Sequence, residues 1–178
     1  MRFVLLGILG LLLGGCVAAL NGTVSTAAYG EPPRQPLFTV ISPDSLSLTE
    51  RNISGLIEAK MSERGYRKAA SRAAANVAVL YKYSFGSGRT HVSSSPDFVW
   101  GGQKVESTTT YPRFFEIVLV DLEKSKLPEK IEIIWQGEVY SSGSSTNISK
   151  LASHFIDLLF ENYGSTVTNK SFLKVVEW

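Results

Sequence analysis

Apolar residues recur along this chain with two different periods, and the places where the period changes divide it into elements. From Leu48 to Arg64, Ile53, Leu56, Ile57 and Met61 fall at helical spacing, with Ser47 or Thr49 placed to cap the first turn and Gly65 to end the last. This predicts an amphipathic helix with one face on a core. A second helix is predicted after a Gly/Ser turn at Ser141–Ser145, capped by Ser145 or Thr146. Its stripe runs through Ile148, Leu151, Ala152, Phe155, Leu159 and Asn162, is widened by Leu158 and Tyr163, and stops at Gly164.

Elsewhere the period is two. Leu37–Ile41 is a short apolar run bounded by prolines, a candidate buried strand. In Ala74–Phe85, Val77, Val79, Tyr81, Tyr83 and Phe85 alternate with Ala78, Leu80, Lys82 and Ser84, a strand buried more heavily on one face. Gly86–Gly102 is broken by glycines and a serine triplet and reads mostly as a long loop or flexible hairpin end. Lys104–Tyr111 alternates like a solvated edge strand. Phe114–Leu122 carries apolar residues on both faces and is predicted to be central. Ile131–Tyr140 places Ile131, Ile133, Trp135 and Val139 on one face against Glu132, Gln136 and Glu138. The turn Lys124–Lys130, with Pro128, makes these last two strands antiparallel neighbours. Phe172–Trp178 adds a short edge strand or packs across the sheet. The order predicts an α/β (α+β) two-layer sandwich: a mostly antiparallel sheet of about four to five strands with two helices on one face.

The beginning follows other rules. Arg2 is followed by an uncharged apolar run, Phe3–Leu13, then Gly14-Gly15 and Cys16, the only cysteine. A basic start, an apolar stretch and small residues at a cleavage point are the parts of a secretory signal. The ending resembles the lipobox of a bacterial lipoprotein, which implies cleavage between Gly15 and Cys16 and fatty acylation, palmitate included, of Cys16. Two other readings stand beside it: an uncleaved span from Phe3 to Leu20, or ordinary signal cleavage after Val17-Ala18-Ala19. Val17–Pro36, uncharged up to Glu31 and rich in glycine and proline, reads as a flexible tether. The expected organisation is therefore residues 1–15 signal peptide, 16–36 tether and 37–178 one globular domain. In proteobacterial lipoproteins an aspartate after the lipidated cysteine favours retention at the inner membrane. Val17 stands there, so the resemblance implies the outer membrane, facing the periplasm.

Composition narrows the function classes. Lys and Arg total 18 against 16 Asp and Glu, so no clustered basic excess marks a nucleic-acid partner. One cysteine cannot form an internal disulfide. Four Asn-x-Ser/Thr triplets, at Asn21, Asn52, Asn147 and Asn169, are incidental in a bacterial protein.

The globular part, from Leu37 to Tyr163, resembles a family of bacterial lipoproteins known as domain of unknown function DUF4136. The resemblance is carried by the helix closing on Gly65-Tyr66, by Ala75-Asn76-Val77-Ala78-Val79, by Val118-Leu119-Val120-Asp121, by Trp135-Gln136-Gly137, and by the Leu151, Phe155, Leu159, Tyr163 series. Where the family often has an aspartate before the second strand, this chain has Asn76. The resemblance implies fold and compartment and carries no activity.

No catalytic pattern is complete. His91 and His154 are the only histidines, too few ligands for a transition-metal site, although His154 stands one helical turn from Asp157. The nucleophile elbow of a serine hydrolase is missing, and Gly86-Ser87-Gly88-Arg89 does not lead into a helix as a phosphate loop must. Glu106, Glu116, Asp121, Glu132 and Glu138 read as the wet faces of strands. No catalytic residue, metal or cofactor is therefore expected. Two clusters remain as contacts for an envelope protein, cell-wall glycan or lipid: the aromatic residues Phe98, Trp100 and Tyr111 around the long loop, and the basic end of the first helix, Arg64, Arg67, Lys68 and Arg72.

Overall fold

The computed structural model describes residues 17–44, 46–96, 102–126 and 130–177. In chain order the elements are β1 Val17–Ala28, β2 Leu37–Ile41, α1 Leu48–Glu63, β3 Arg67–Lys68, β4 Val77–Phe85, β5 Arg89–Pro96, β6 Gln103–Lys126, β7 Lys130–Gly143, α2 Ile148–Glu161 and β8 Val167–Glu177. The sheet has eight strands rather than four to five, in the order β3-β2-β4-β6-β7-β1-β8, with β5 paired to β6 off that path. β2 runs parallel to β3 and β4, and every other pairing is antiparallel.

Both helices cover one face. Tyr81 of β4 stacks on Phe115 of β6, Phe115 meets Phe155 of α2, and the Tyr81 hydroxyl reaches Glu50 of α1. α1 touches the sheet with a narrow stripe, Ile53, Ile57 and Met61, because it lies over the β2–β4 side. α2 buries more than one stripe, from Leu151 to Phe160, because it packs against β7, β1 and α1 together. Burial of each such Leu, Ile or Phe contributes about 1.5–3 kcal/mol, which makes this one contiguous cluster the main source of stability. Ser47 caps α1, and its side chain accepts from the Glu50 amide. α2 is capped by Asn147 rather than Ser145 or Thr146. Gly65 (φ 84°) and Gly164 (φ 75°) take the left-handed conformation that ends each helix.

Four expectations are corrected. Val17–Ala28 is not a tether: it lies between β7 and β8. Leu20, Val24 and Thr26 face the helices, and small residues between them let a crowded strand pass. Secondly, Lys104–Tyr111 is not a separate edge strand but the first part of one 24-residue strand, β6, and of the two readings of Gly86–Gly102, loop or hairpin end, Arg89–Pro96 takes the hairpin as its antiparallel partner β5. Pro112 does not break β6, because it falls between the ladder with β5, which ends at Thr110, and the ladder with β4, which starts at Arg113. Thirdly, Ile131 and Ile133 do not share a face with Trp135 and Val139. Leu119 pairs with Trp135 but Val120 pairs with Ile133, so Ile134 is an extra residue. A bulge of this kind reverses the alternation beyond it. Ile134 and Trp135 are both buried under the helices, and Ile131 and Ile133 turn to the open face. Lastly, the C-terminal strand starts at Val167, five residues before Phe172.

Candidate functional site

The strand directions give the sheet two distinct ends. One carries the start of β1, the ends of β4 and β7, the β5–β6 ribbon and the N-termini of both helices. The other carries the end of β1, the starts of β2 and β4 and the C-termini of both helices.

At the second end lies a cavity of about 280 Å³ between the two helix C-termini, the end of β1 and β7, lined among others by Glu31, Arg64, Tyr66, Trp135 and Tyr163. Sequence order brings them together simply. Arg64 and Tyr66 flank the left-handed Gly65 that ends α1, Tyr163 directly precedes Gly164 after α2, and Trp135 stands beside the bulged Ile134. The rings are in mutual contact, with centroids 5.2 Å apart for Trp135 and Tyr163 and 6.4 Å for Tyr66 and Tyr163. The Tyr66 and Tyr163 hydroxyls hydrogen-bond each other, and burial raises both pKa values, so both stay neutral at ordinary pH. The Arg64 guanidinium donates to the carbonyl of Phe160 and stands 5.5 Å above the Tyr163 ring. Trp135 Nε1 is buried with no hydrogen-bond partner among the described residues, a cost of about 1–3 kcal/mol for an amide-like donor. Together Arg64, Tyr66 and Tyr163 offer a guanidinium and neutral hydroxyls beside an aromatic wall. That donor set suits a ligand with hydroxyl or anionic acceptors on an apolar or ring-shaped body.

The open face of the sheet has a groove of about 320 Å³, lined by Leu80, Lys82, Glu116, Val118, Val120, Ile131 and Ile133 among others. Glu116 on its floor accepts from Gln136 at 2.6 Å and pairs with Lys82 at 2.6 Å. The other buried acids are likewise held in place. Glu50 lies among hydroxyls of Ser42, Tyr81 and Tyr83, and Asp121 accepts from the amides of Glu123 and Lys124 at 3.0 Å. Among the described residues no group of three or more His, Cys, Asp or Glu side chains could hold a metal ion. His91 is exposed on β5 opposite Thr108. On α2, burial and Lys174 lower the pKa of His154 while Asp157 opposes them.

The residues singled out in the sequence fall at both ends. Arg64, Arg67, Lys68 and Arg72 are at the helix C-terminal end. Arg64 lines the cavity, Arg67 and Lys68 form β3, Lys68 pairs with Glu58 at 2.7 Å, and Arg72 sits in a short 3₁₀ turn before β4. Tyr111 is at the opposite end, paired with Gly143, its ring against Gly88. Tyr111 and the basic helix end therefore lie at opposite ends of the sheet. Gly15, Cys16, Phe98 and Trp100 lie outside the described residues, and no described helix is long and apolar enough to cross a membrane. Tyr66, Trp135 and Tyr163 were not singled out as contacts by the sequence. The signal was present, however, since the motifs carrying the family resemblance contain all three.

Two helices on one face of an open, mixed eight-stranded sheet define an α+β domain. The family model for a domain of unknown function (DUF4136) matches residues 33–163, and the chain belongs to that family. β1 and β8 lie outside the matched region. No curated protein matches the chain. Among solved structures, a PDZ domain protein from Parabacteroides distasonis aligns with 92% of this chain at 12% identity and a TM-score of 0.56. The alignment covers 40% of that protein's chain, and the likeness is one of fold. A DUF4136 family protein from Bacteroides thetaiotaomicron aligns with 79% of this chain and 94% of its own, at 16% identity and a TM-score of 0.46. A single-substitution variant of the PelC dodecamer from Paraburkholderia phytofirmans aligns with 78% of this chain and 95% of its own, at 13% identity and a TM-score of 0.47.

Proposed function

We propose that this protein is a lipid-anchored component of the bacterial envelope, held by acylation of Cys16 at the outer membrane and facing the periplasm, whose domain binds or scaffolds another envelope component without catalysing a reaction. The observation that carries this reading is the position of the helix-end cavity relative to the anchor. β1 starts one residue after Cys16 and runs twelve residues, roughly 36 Å at the usual strand rise, to the end where Arg64, Tyr66, Trp135 and Tyr163 line the cavity. An anchor at one end leaves the basic and aromatic end pointing away from the bilayer. Val17 after the cysteine supports the outer membrane, and the structural engagement of Glu50, Glu116 and Asp121 supports a non-catalytic role.

A second reading is favoured by the cation over the Tyr163 ring in a cavity walled by aromatic residues: the same cavity takes a glycan or lipid headgroup. Pull-down of the tagged full chain from detergent-solubilised envelope separates the two. A stoichiometric protein partner that survives wall digestion and is lost on Arg64→Glu supports scaffolding. Recovery only with purified wall polymer or lipid supports the second reading, and recovery indifferent to Arg64 overturns both. For the anchor, unchanged processing and membrane retention in Cys16→Ser would overturn the acylation.

A further inference from the structure

The end of the domain where β1 begins is unlike the rest of the surface. The five most exposed large apolar residues described, Leu46 (82%), Leu48 (78%), Leu173 (74%), Val92 (68%) and Val175 (67%), all lie there. They come from three separate parts of the chain. Leu46 and Leu48 flank the cap of α1, whose Thr49 hydrogen-bonds Ser149 in the first turn of α2. Leu173 and Val175 pair with Asn21 and Ala19, at and just beyond the last pairing of β1 with β7, Asn21 with Ser142. Val92 belongs to the ribbon of β5 and the first part of β6, which passes the same end beyond the Tyr111–Gly143 pair.

That ribbon is two-sided. Partners across an antiparallel ladder share a face and successive residues alternate, so the pairs Thr90–Thr109, Val92–Ser107 and Ser94–Val105 fall on one face. The pairs Arg89–Thr110, His91–Thr108, Ser93–Glu106 and Ser95–Lys104 fall on the other. Every charged residue of the ribbon is thus on one side, where Lys104 and Glu106 pair at 2.6 Å, and both valines are on the uncharged side. All eight residues of β5 are exposed. A two-stranded ribbon with no layer behind it is marginal in water, so this one needs a surface to lie on.

We infer that this end is a membrane-contact surface: the uncharged face of the β5–β6 ribbon, with Leu46, Leu48, Leu173 and Val175, rests in the interfacial layer of the bilayer that holds the lipid on Cys16. The inference rests on the anchor proposed above, since β1 leaves no spacer between Cys16 and this end. Apolar side chains at the headgroup boundary with charges turned to water are the arrangement of interfacial protein segments. A short anchor holds them there at high effective concentration. The bilayer then fixes the orientation of the domain as well as its location.

The test is spin-label depth measurement on the acylated full chain in phospholipid vesicles. Leu48→Cys, Val92→Cys, Val105→Cys and Leu173→Cys report this end, and Tyr29→Cys and Ile131→Cys the other. Cys16, as a thioether, takes no label. Labels at the first four positions should collide several-fold more with lipid-dissolved oxygen, relative to an aqueous nickel reagent, than those at the last two. Equal aqueous exposure at all six overturns the inference, as does shielding of Val92 and Val105 from both reagents, which would mean that a second copy or another protein covers the ribbon. Mass spectrometry of the N-terminal peptide and vesicle flotation report the anchor separately. Unacylated protein that does not float defeats the anchor, whereas floating protein with aqueous labels defeats only the contact surface.

Discussion

The hydroxyl of Tyr83 donates to the carboxylate of Glu50 at 2.8 Å, joining β4 to the first turn of α1. Tyr81 donates to the other oxygen of the same carboxylate and to the Glu50 carbonyl at 3.0 Å. Glu50 is buried, yet it lies three residues after the Ser47 cap, where the helix dipole favours a negative charge. Replacing it by alanine leaves the Tyr83 hydroxyl without its acceptor and takes the carboxylate from Tyr81, which keeps the Glu50 carbonyl and the Ser42 hydroxyl. The expected loss for Glu50→Ala is about 2 kcal/mol, against about 1 kcal/mol for Tyr83→Phe, which removes one donor. The double variant should fall short of the sum, because both substitutions break the same bond. Urea denaturation of the three variants measures this.

The tyrosines also set the alkaline limit of stability. Burial, then the bond to Glu50, pushes Tyr83 up to about 12, and burial moves Tyr66, Tyr81 and Tyr163 upward as well. An unfolded tyrosine ionises near 10. A folded value above the unfolded one means that the stabilisation is complete below about pH 10 and is lost as pH rises toward 12. Unfolding free energy should therefore fall between about pH 10 and 12, with a shallower slope in Tyr83→Phe. Absorbance at 295 nm should show phenolate appearing together with loss of near-ultraviolet circular dichroism.

Gly22 tests whether β1 belongs to the domain. A Cβ there would fall on the backbone oxygen of Tyr140 and lie 3.0 Å from the Phe172 ring. Neither β7 nor β8 can withdraw without breaking its ladder. Gly22→Ala should cost about 3 kcal/mol, in the range of overpacked and strained sites, and should expose β8 amides to hydrogen exchange, since β8 pairs only with β1. If residues 17–28 were a spacer, the substitution would change nothing.

What the sequence shows most directly are the elements whose burial is strongly periodic. α2, with Leu151, Phe155 and Leu159 on one stripe, and β4, with Val77, Val79 and Tyr81 on one face, can be read without the fold because their large apolar residues recur at the helical and the strand period. β1 hides because its inward positions, Leu20, Gly22, Val24 and Thr26, are interleaved with Asn, Thr, Ser and Ala, so the contrast between faces is small. The Ile134 bulge hides for the opposite reason: Ile131, Ile133 and Ile134 are all apolar, and only the partner strand decides which two share a face. At the helix-end cavity the basic member, Arg64, is legible from charge. Tyr66, Trp135 and Tyr163 look like core residues because they are mostly buried, and only the three-dimensional junction of the helix ends with β7 shows that they enclose a space.

Asn76 makes three contacts that call for an amide side chain, both an acceptor and a donor. Its Oδ1 accepts from the Leu37 amide at 2.8 Å, and its Nδ2 donates to the Gln35 carbonyl and to the Glu123 carboxylate, each at 3.2 Å. One side chain thus ties the start of β2, the start of β4 and the end of β6. An aspartate would keep the bond from Leu37 but set a second carboxylate beside Glu123 and leave the Gln35 carbonyl without that donor. Asn76→Asp should therefore cost about 1–2 kcal/mol at neutral pH. Repulsion from Glu123 raises the pKa of the new carboxyl above its unfolded value, so the deficit should shrink as acidification protonates it. Glu123→Gln in the same chain should recover most of the loss, because Gln can supply a donor where Glu cannot. Thermal melts of the single and double variants at pH 7 and pH 5 decide the point, and a deficit that neither Glu123→Gln nor acid relieves would show that the Gln35 bond alone matters.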